Sequence, residues 1–253
     1  MNSTVLFEVR DRVAVVTLNR PEKKNAINRA MRKEVQDAFV RIRFDPDIWG
    51  AIITGNGETF CSGKDLLEKL PDEDSEVMSN DELYLYLRFI YKPILSALNG
   101  AALAQGAGFA LNSDIVIMAD TASIGWPQVR RGISSVSGPS YIPHAIPWNQ
   151  AMGFLMRGRF IEAADAYRFG IANEVVPRDQ LMATAHRWMA EIMQNAPLAV
   201  QAIKEAARRG QELPVKDRMY LARDIANHVL LSADAKEGIL AFKEKRKPVW
   251  KGR

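Results

Sequence analysis

The chain has 253 residues, 47% of them hydrophobic and 25% charged, which is the make-up of an ordinary globular protein long enough to bury a sizeable core in one domain. A formal charge of +4 falls short of the dense basic surface that a phosphate backbone requires, so general nucleic-acid binding is excluded even though the tail FKEKRKPVWKGR is locally basic. The single cysteine, Cys61, cannot close an internal disulfide, and the opening MNSTVLFEVRDR lacks an apolar secretory segment; both features point to the cytoplasm.

In chain order, VLFEV and VAVVTLN read as a hairpin around Arg10-Asp11-Arg12. A helix is expected from about Asn28, with Met31, Val35, Ala38, Phe39 and Ile42 on one face. The strands AIIT, PILSAL and DIVIMAD follow, each feeding a glycine turn or a helix. The uncharged run 93–113 could span a bilayer by length, but Pro93, Asn99, Gln105, Asn112 and three glycines interrupt it. A buried strand, turn and helix is therefore expected there, and no membrane contact. Beyond Gln150 the sequence reads as nearly all helical, through EAADAYRFG, LMATAHRWMAEIMQ, LAVQAIKEAARR and AKEGILAFKEKR. The pattern predicts an α/β protein with a ββα-type core and a helical C-terminal region.

Two familiar glycine motifs fail. GNGETFCSGKD is one residue too long between Gly57 and Gly63 for a phosphate loop, and Asp65 stands where a magnesium-binding hydroxyl belongs. QGAGFA has no third glycine, since Leu111 takes its place. No G-x-S-x-G elbow occurs, and the three histidines lack metal-ligand spacing, so no metal is expected. What remains are two loops, FCSGKDL and NGAALAQGAGFAL, each leaving a strand and entering a helix. Helix starts leave N–H groups unpaired and pointing outward, and two that face one another can grip an oxygen that turns negative during reaction.

The segments NRPEKKNAIN (19–28), TFCSGKDL (59–66), KPILSALNGAALAQGAGFALNSDIVI (92–117), RFGIANEVVP (168–177), NAPLAVQAIKE (195–205) and EGILAFKEKRKPVWKGR (237–253), in that order, resemble the crotonase superfamily of enoyl-CoA hydratases and isomerases. The tail is most similar to carnitinyl-CoA dehydratase-type members. The resemblance implies a crotonase-like ββα spiral that binds an acyl-CoA over residues 1–195, and a helical trimerisation region over 196–253. It also implies a homotrimer or a dimer of trimers, a coenzyme A thioester as substrate and no separate cofactor. The thioester oxygen would be held by the N–H groups of Lys64 and Gln105, with Gly106 beside them. Lys24, Ala26, Ile27, Ser62, Asp65 and Leu66 would line the coenzyme A path, and Phe242 and Lys245 of a neighbouring subunit would close over the nucleotide.

The same alignment of motifs places the family's two catalytic glutamates at Gly108 and Gln128. Hydration of an enoyl thioester needs one group to activate water and another to deliver a proton. Glycine does neither, and glutamine can orient water without taking its proton. Standard hydration is therefore in doubt. Ser134, Ser135, Ser137, Tyr141 and His144 follow Gln128 without a carboxylate, and each reads more simply as a capping or loop residue. Glu68, Asp72, Glu73 and Asp74 lie in an acidic stretch that could lend one, though a solvated loop is the simpler reading. Three functions stay open: an enolate-stabilising acyl-CoA lyase or isomerase; a hydrolase, decarboxylase or C–C-cleaving relative; and an acyl-CoA-binding protein without turnover.

Overall fold

The computed structural model describes residues 3–68 and 77–253. β1 (Val5–Arg10) and β2 (Val13–Leu18) form the expected antiparallel hairpin, turned through Asp11 and Arg12, both at positive φ. α1 (Arg29–Phe44) starts where Asn28 accepts a hydrogen bond from the Met31 N–H, and it buries Met31, Val35, Ala38, Phe39 and Ile42. β3 (Gly50–Gly55), α2 (Asn80–Arg88) and β4 (Ile94–Leu98) follow, then the short β5 (Ala102–Leu103) and α3 (Gln105–Asn112). Next come β6 (Ile115–Ala119), β7 (Ser123–Gly125), α4 (Ser137–Ala145), α5 (Trp148–Arg157), β8 (Phe160–Glu162), α6 (Ala163–Arg168) and β9 (Glu174–Val176). α7 (Leu181–Met193), α8 (Pro197–Gly210), α9 (Val215–Leu230) and α10 (Ala233–Glu244) complete the chain.

The strands build two sheets, one in the order β1-β2-β3-β4-β6-β9 and one in the order β5-β7-β8. β2, β3, β4, β6 and β9 run parallel, with the near-continuous apolar character expected of strands covered on both faces. One face packs against α1, α2 and α3, the other against α7. The chain after Gln150 is less uniformly helical than its sequence suggests. β8 and β9 lie there, and β9 completes the larger sheet beside β6. Three-residue strands are too short for alternation to reveal. No helix among the described residues is long and apolar enough to cross a membrane.

Candidate active site

The two loops meet. Residues 61–64 run beside β5: the Leu103 N–H donates to the Cys61 carbonyl at 2.8 Å, and the Cys61 N–H to the Ala101 carbonyl at 3.1 Å. On its other side this loop pairs with Ile27, whose N–H donates to the Gly63 carbonyl at 2.8 Å while its carbonyl accepts from the Asp65 N–H at 3.0 Å. In such a parallel bridge Lys64 uses neither of its own backbone groups, so its N–H is left over. The Gln105 N–H, first of α3, is an orphan for a different reason, since no carbonyl lies one turn behind it. Among the described residues neither N–H donates a hydrogen bond. Gly63, at φ +96°, brings the loops together: a Cβ there would lie 2.9 Å from the Ala104 Cβ and 3.6 Å from the Gln105 nitrogen. Gly106 is equally constrained, because a Cβ would come within 2.6 Å of the Cys61 carbonyl oxygen.

The residues expected along the coenzyme A path are also brought together. The Ser62 N–H donates to the Lys24 carbonyl at 3.0 Å, and Ala26 and Ile27 follow directly on Lys24. Arg20 ties the group to Asp65, with one guanidinium nitrogen 2.6 Å from the Ala26 carbonyl and 3.1 Å from the Asp65 carboxylate. Asn25, fully buried at φ +52°, accepts from the Arg20 N–H and donates to the carbonyls of Asn56 and Thr59. Leu66 stands exposed beyond them. Phe242 and Lys245 lie elsewhere on this chain. Phe242 projects from α10 with 85% of its surface exposed, and Lys245 caps that helix at φ +53°.

The position where the resemblance places the first glutamate, Gly108, is filled. A Cβ on Gly108 would lie 2.4 Å from Cζ and 2.8 Å from the hydroxyl oxygen of Tyr84, which α2 delivers into the core. Tyr84 packs edge-on against Phe109 and Tyr141, with its hydroxyl near Ser137. Ser137 accepts from the Trp126 indole N–H at 3.0 Å and donates to the Ala104 carbonyl at 3.3 Å. Burial holds the Tyr84 phenol above its ordinary pKa, so it stays protonated at neutral pH. Gln128 sits on the 3-10 turn Pro127–Arg131 that follows Trp126, with a buried, unpartnered side-chain oxygen. Gln105 is 4% exposed, and both ends of its carboxamide lack a partner.

Other candidates are accounted for differently. Ser134 and Ser135 line, with Trp126, an apolar cavity of about 400 Å³ whose lining includes neither Lys64 nor Gln105, and Ser135 accepts from the Gly138 N–H. His144 is exposed on α4. The Glu68 carboxylate accepts the Arg29 N–H at the start of α1. Asp72, Glu73 and Asp74 lie outside the described residues. Asp114 binds the Ile94 N–H and pairs with Lys204 and Arg208. Burial pushes the Cys61 thiol up to about 12, so it is no nucleophile. No metal-binding group of side chains is present among the described residues.

Sequence reasoning missed Tyr84, Arg20 and Asn25. Arg20 and Asn25 belong to NRPEKKNAIN, where an Arg or Asn reads as an ordinary loop residue until its long-range partners are known. Tyr84 carries no local signal, because only the folded chain sets it against Gly108.

Known proteins share this arrangement of elements. Residues 8–253 match the sequence model of the enoyl-CoA hydratase/isomerase family. The chain is 34% identical over 253 residues to the (E)-benzylidenesuccinyl-CoA hydratase of Thauera aromatica, covering 98% of this chain and 99% of that protein. It is 38% identical over 262 aligned residues to the carnitinyl-CoA dehydratase of Proteus mirabilis, covering 100% of both. Its fold superposes on the crystal structure of an enoyl-CoA hydratase from Mycobacterium marinum with a TM-score of 0.92 at 32% identity, again over 100% of both chains. Sequence and fold agree over essentially the whole length, and the chain belongs to the enoyl-CoA hydratase/isomerase family.

Proposed function

We propose that the protein acts on coenzyme A thioesters, holding the thioester oxygen between the N–H groups of Lys64 and Gln105 while an enolate forms on the acyl group. One observation carries this reading: two N–H groups with no internal partner are set side by side by the contact of Gly63 with Ala104 and Gln105. One of them lies at the positive end of α3, so developing negative charge is stabilised without reorganisation. Lys24, Ala26, Ile27, Ser62, Asp65 and Leu66 would receive the nucleotide and pantetheine, with coenzyme A entering only as part of the substrate.

Pairs of carboxylates are absent from the positions that would serve water addition. Tyr84, a neutral hydroxyl against Gly108, favours a reaction whose enolate arises by cleavage of a bond, since such an enolate needs a proton donor and no base. Decarboxylation is of this kind: carbon dioxide leaves, the electron pair of the broken C–C bond becomes the enolate and the phenol supplies the proton, whereas thioester hydrolysis passes through a tetrahedral oxyanion and needs an activated water. Calorimetric titration with acetyl-CoA, followed by turnover across an acyl-CoA panel, tests the reading. Lys64→Pro removes one donor without breaking the bridge to Ile27, and loss of such a donor typically lowers turnover about 10² to 10³-fold. Unchanged turnover in a folded Lys64→Pro variant overturns the assignment, and binding without any turnover makes the protein an acyl-CoA carrier.

A further inference from the structure

The Lys64 N–H takes its direction from the groups on either side of it. Residues 61–64 lie between Ile27 and β5. The Gly63 carbonyl accepts from the Ile27 N–H at 2.8 Å, and the Asp65 N–H donates to the Ile27 carbonyl at 3.0 Å. The Gly63–Lys64 peptide is trans and planar, so the Lys64 N–H points opposite to the Gly63 carbonyl. It therefore faces away from Ile27, toward the side where Ala104 and Gln105 approach Gly63. Whatever holds Ile27 against residues 63–65 also sets the aim of this donor.

The segment leading into Ile27 needs such a hold. Lys24 and Asn25 both sit at φ +52°, a left-handed conformation that persists in non-glycine residues only where the surroundings impose it. Arg20 closes the turn that contains them. Its carbonyl accepts from the N–H groups of Lys23 and Asn25, both at 2.9 Å, and its own N–H donates to the Asn25 side chain at 2.8 Å. One guanidinium nitrogen then reaches across to the neighbouring loop, 2.6 Å from the Ala26 carbonyl and 3.1 Å from the Asp65 carboxylate. The Arg20 and Asp65 side chains are each 15% exposed, so these charge-assisted bonds are largely shielded from solvent. A single nitrogen thus joins the residue before Ile27 to the residue after Lys64. We propose that Arg20 is a positioning residue: through Ala26 and Asp65 it fixes the Ile27 segment against residues 63–65 and so aims the Lys64 N–H at the thioester oxygen. This inference rests on the acyl-CoA reading above and adds a residue that acts on the substrate only through the backbone of another.

The test is the infrared carbonyl stretch of acetyl-CoA, isotopically labelled at the thioester carbon and bound at saturation to the intact protein. Hydrogen bonds to the thioester oxygen lower this stretch, and they weaken steeply as they bend. The wild type should lower it relative to free acetyl-CoA, and Lys64→Pro should return part of the shift. Arg20→Met should return the stretch toward the Lys64→Pro value. In the double variant the stretch should equal that of Lys64→Pro alone, because Arg20 then has no donor left to aim. Should Arg20→Met not fold, Arg20→Lys carries the test: a lysine keeps the charge but ends one bond short of the guanidinium nitrogen, and it should return a smaller part of the shift. If the Arg20 variant keeps the wild-type stretch, or raises it further in the Lys64→Pro background, the proposal is wrong while the acyl-CoA reading stands. The same holds if Arg20→Met loses acetyl-CoA altogether, since Arg20 would then serve the coenzyme A path. Should acetyl-CoA not bind the wild type, or bind with its stretch unmoved, the proposal and the reading beneath it fall together.

Discussion

The Tyr84 ring lies where a side chain on Gly108 would have to begin, 2.4 Å from the position of its Cβ. An acid cannot simply be returned to residue 108. Gly108→Glu forces a ring held by Phe109 and Tyr141 out of the core and buries a carboxylate there, which should cost more than about 3 kcal/mol. Urea denaturation should show that loss, and Tyr84→Ala in the same chain should recover much of it. The wild type should hydrate crotonyl-CoA poorly, and Gly108→Glu with Gln128→Glu should improve it only once Tyr84 is also trimmed. Native stability for Gly108→Glu alone would contradict this packing.

Ala104 sits at φ +52°, ψ −104°, a conformation that strongly favours glycine, at the entrance to α3. A non-glycine residue held there carries strain of about 1–3 kcal/mol, offset in part by the greater unfolded-state freedom of glycine. Ala104→Gly should therefore raise stability by about 1 kcal/mol, read as a higher denaturation midpoint at unchanged slope. A lower midpoint would show that the methyl group packs usefully against Gly63.

Cys61 gives the protein an alkaline weakness. Its thiol is raised by burial from 9.0 to about 12, so the native state keeps the proton after the unfolded chain has lost it. The stability it confers is fully present below pH 9 and declines by about 1.4 kcal/mol per pH unit between 9 and 12. Tyr84, also raised by burial, steepens the decline above the ordinary phenol value of 10.0. Denaturation midpoints between pH 8 and 10.5 should fall less in Cys61→Ala than in the wild type. Parallel curves would show that the thiol ionises freely in the folded protein.

The C-terminal helices expose much apolar surface. α9 buries no residue, and Ile203, Met219, Leu231 and Phe242 stand 61–85% exposed. A trimer or dimer of trimers would cover them and carry Phe242 and Lys245 of one copy toward the coenzyme A path of the next. Light scattering should give a mass near three or six chains at micromolar concentration, and a stable monomer would refute this assembly.

What the sequence disclosed and what it withheld divide along physical lines. The α1 face was readable in full, because a 3.6-residue period over sixteen residues is a strong local signal. The glycine-bearing loops announced their turns, and the order of six motifs announced the family. The tie from Arg20 to Asp65 and the contact of Tyr84 with Gly108 join segments distant in sequence, so no local pattern encodes either. The reading of residue 108 as an emptied acid site carried no sign of the ring that the fold sets against it.

A crystal structure of the protein with acetyl-CoA fixes the place of the thioester oxygen most directly. The thioester oxygen should lie about 3 Å from the backbone nitrogens of both Lys64 and Gln105, in line with their N–H bonds. A thioester bound with its oxygen away from both nitrogens would contradict the central claim.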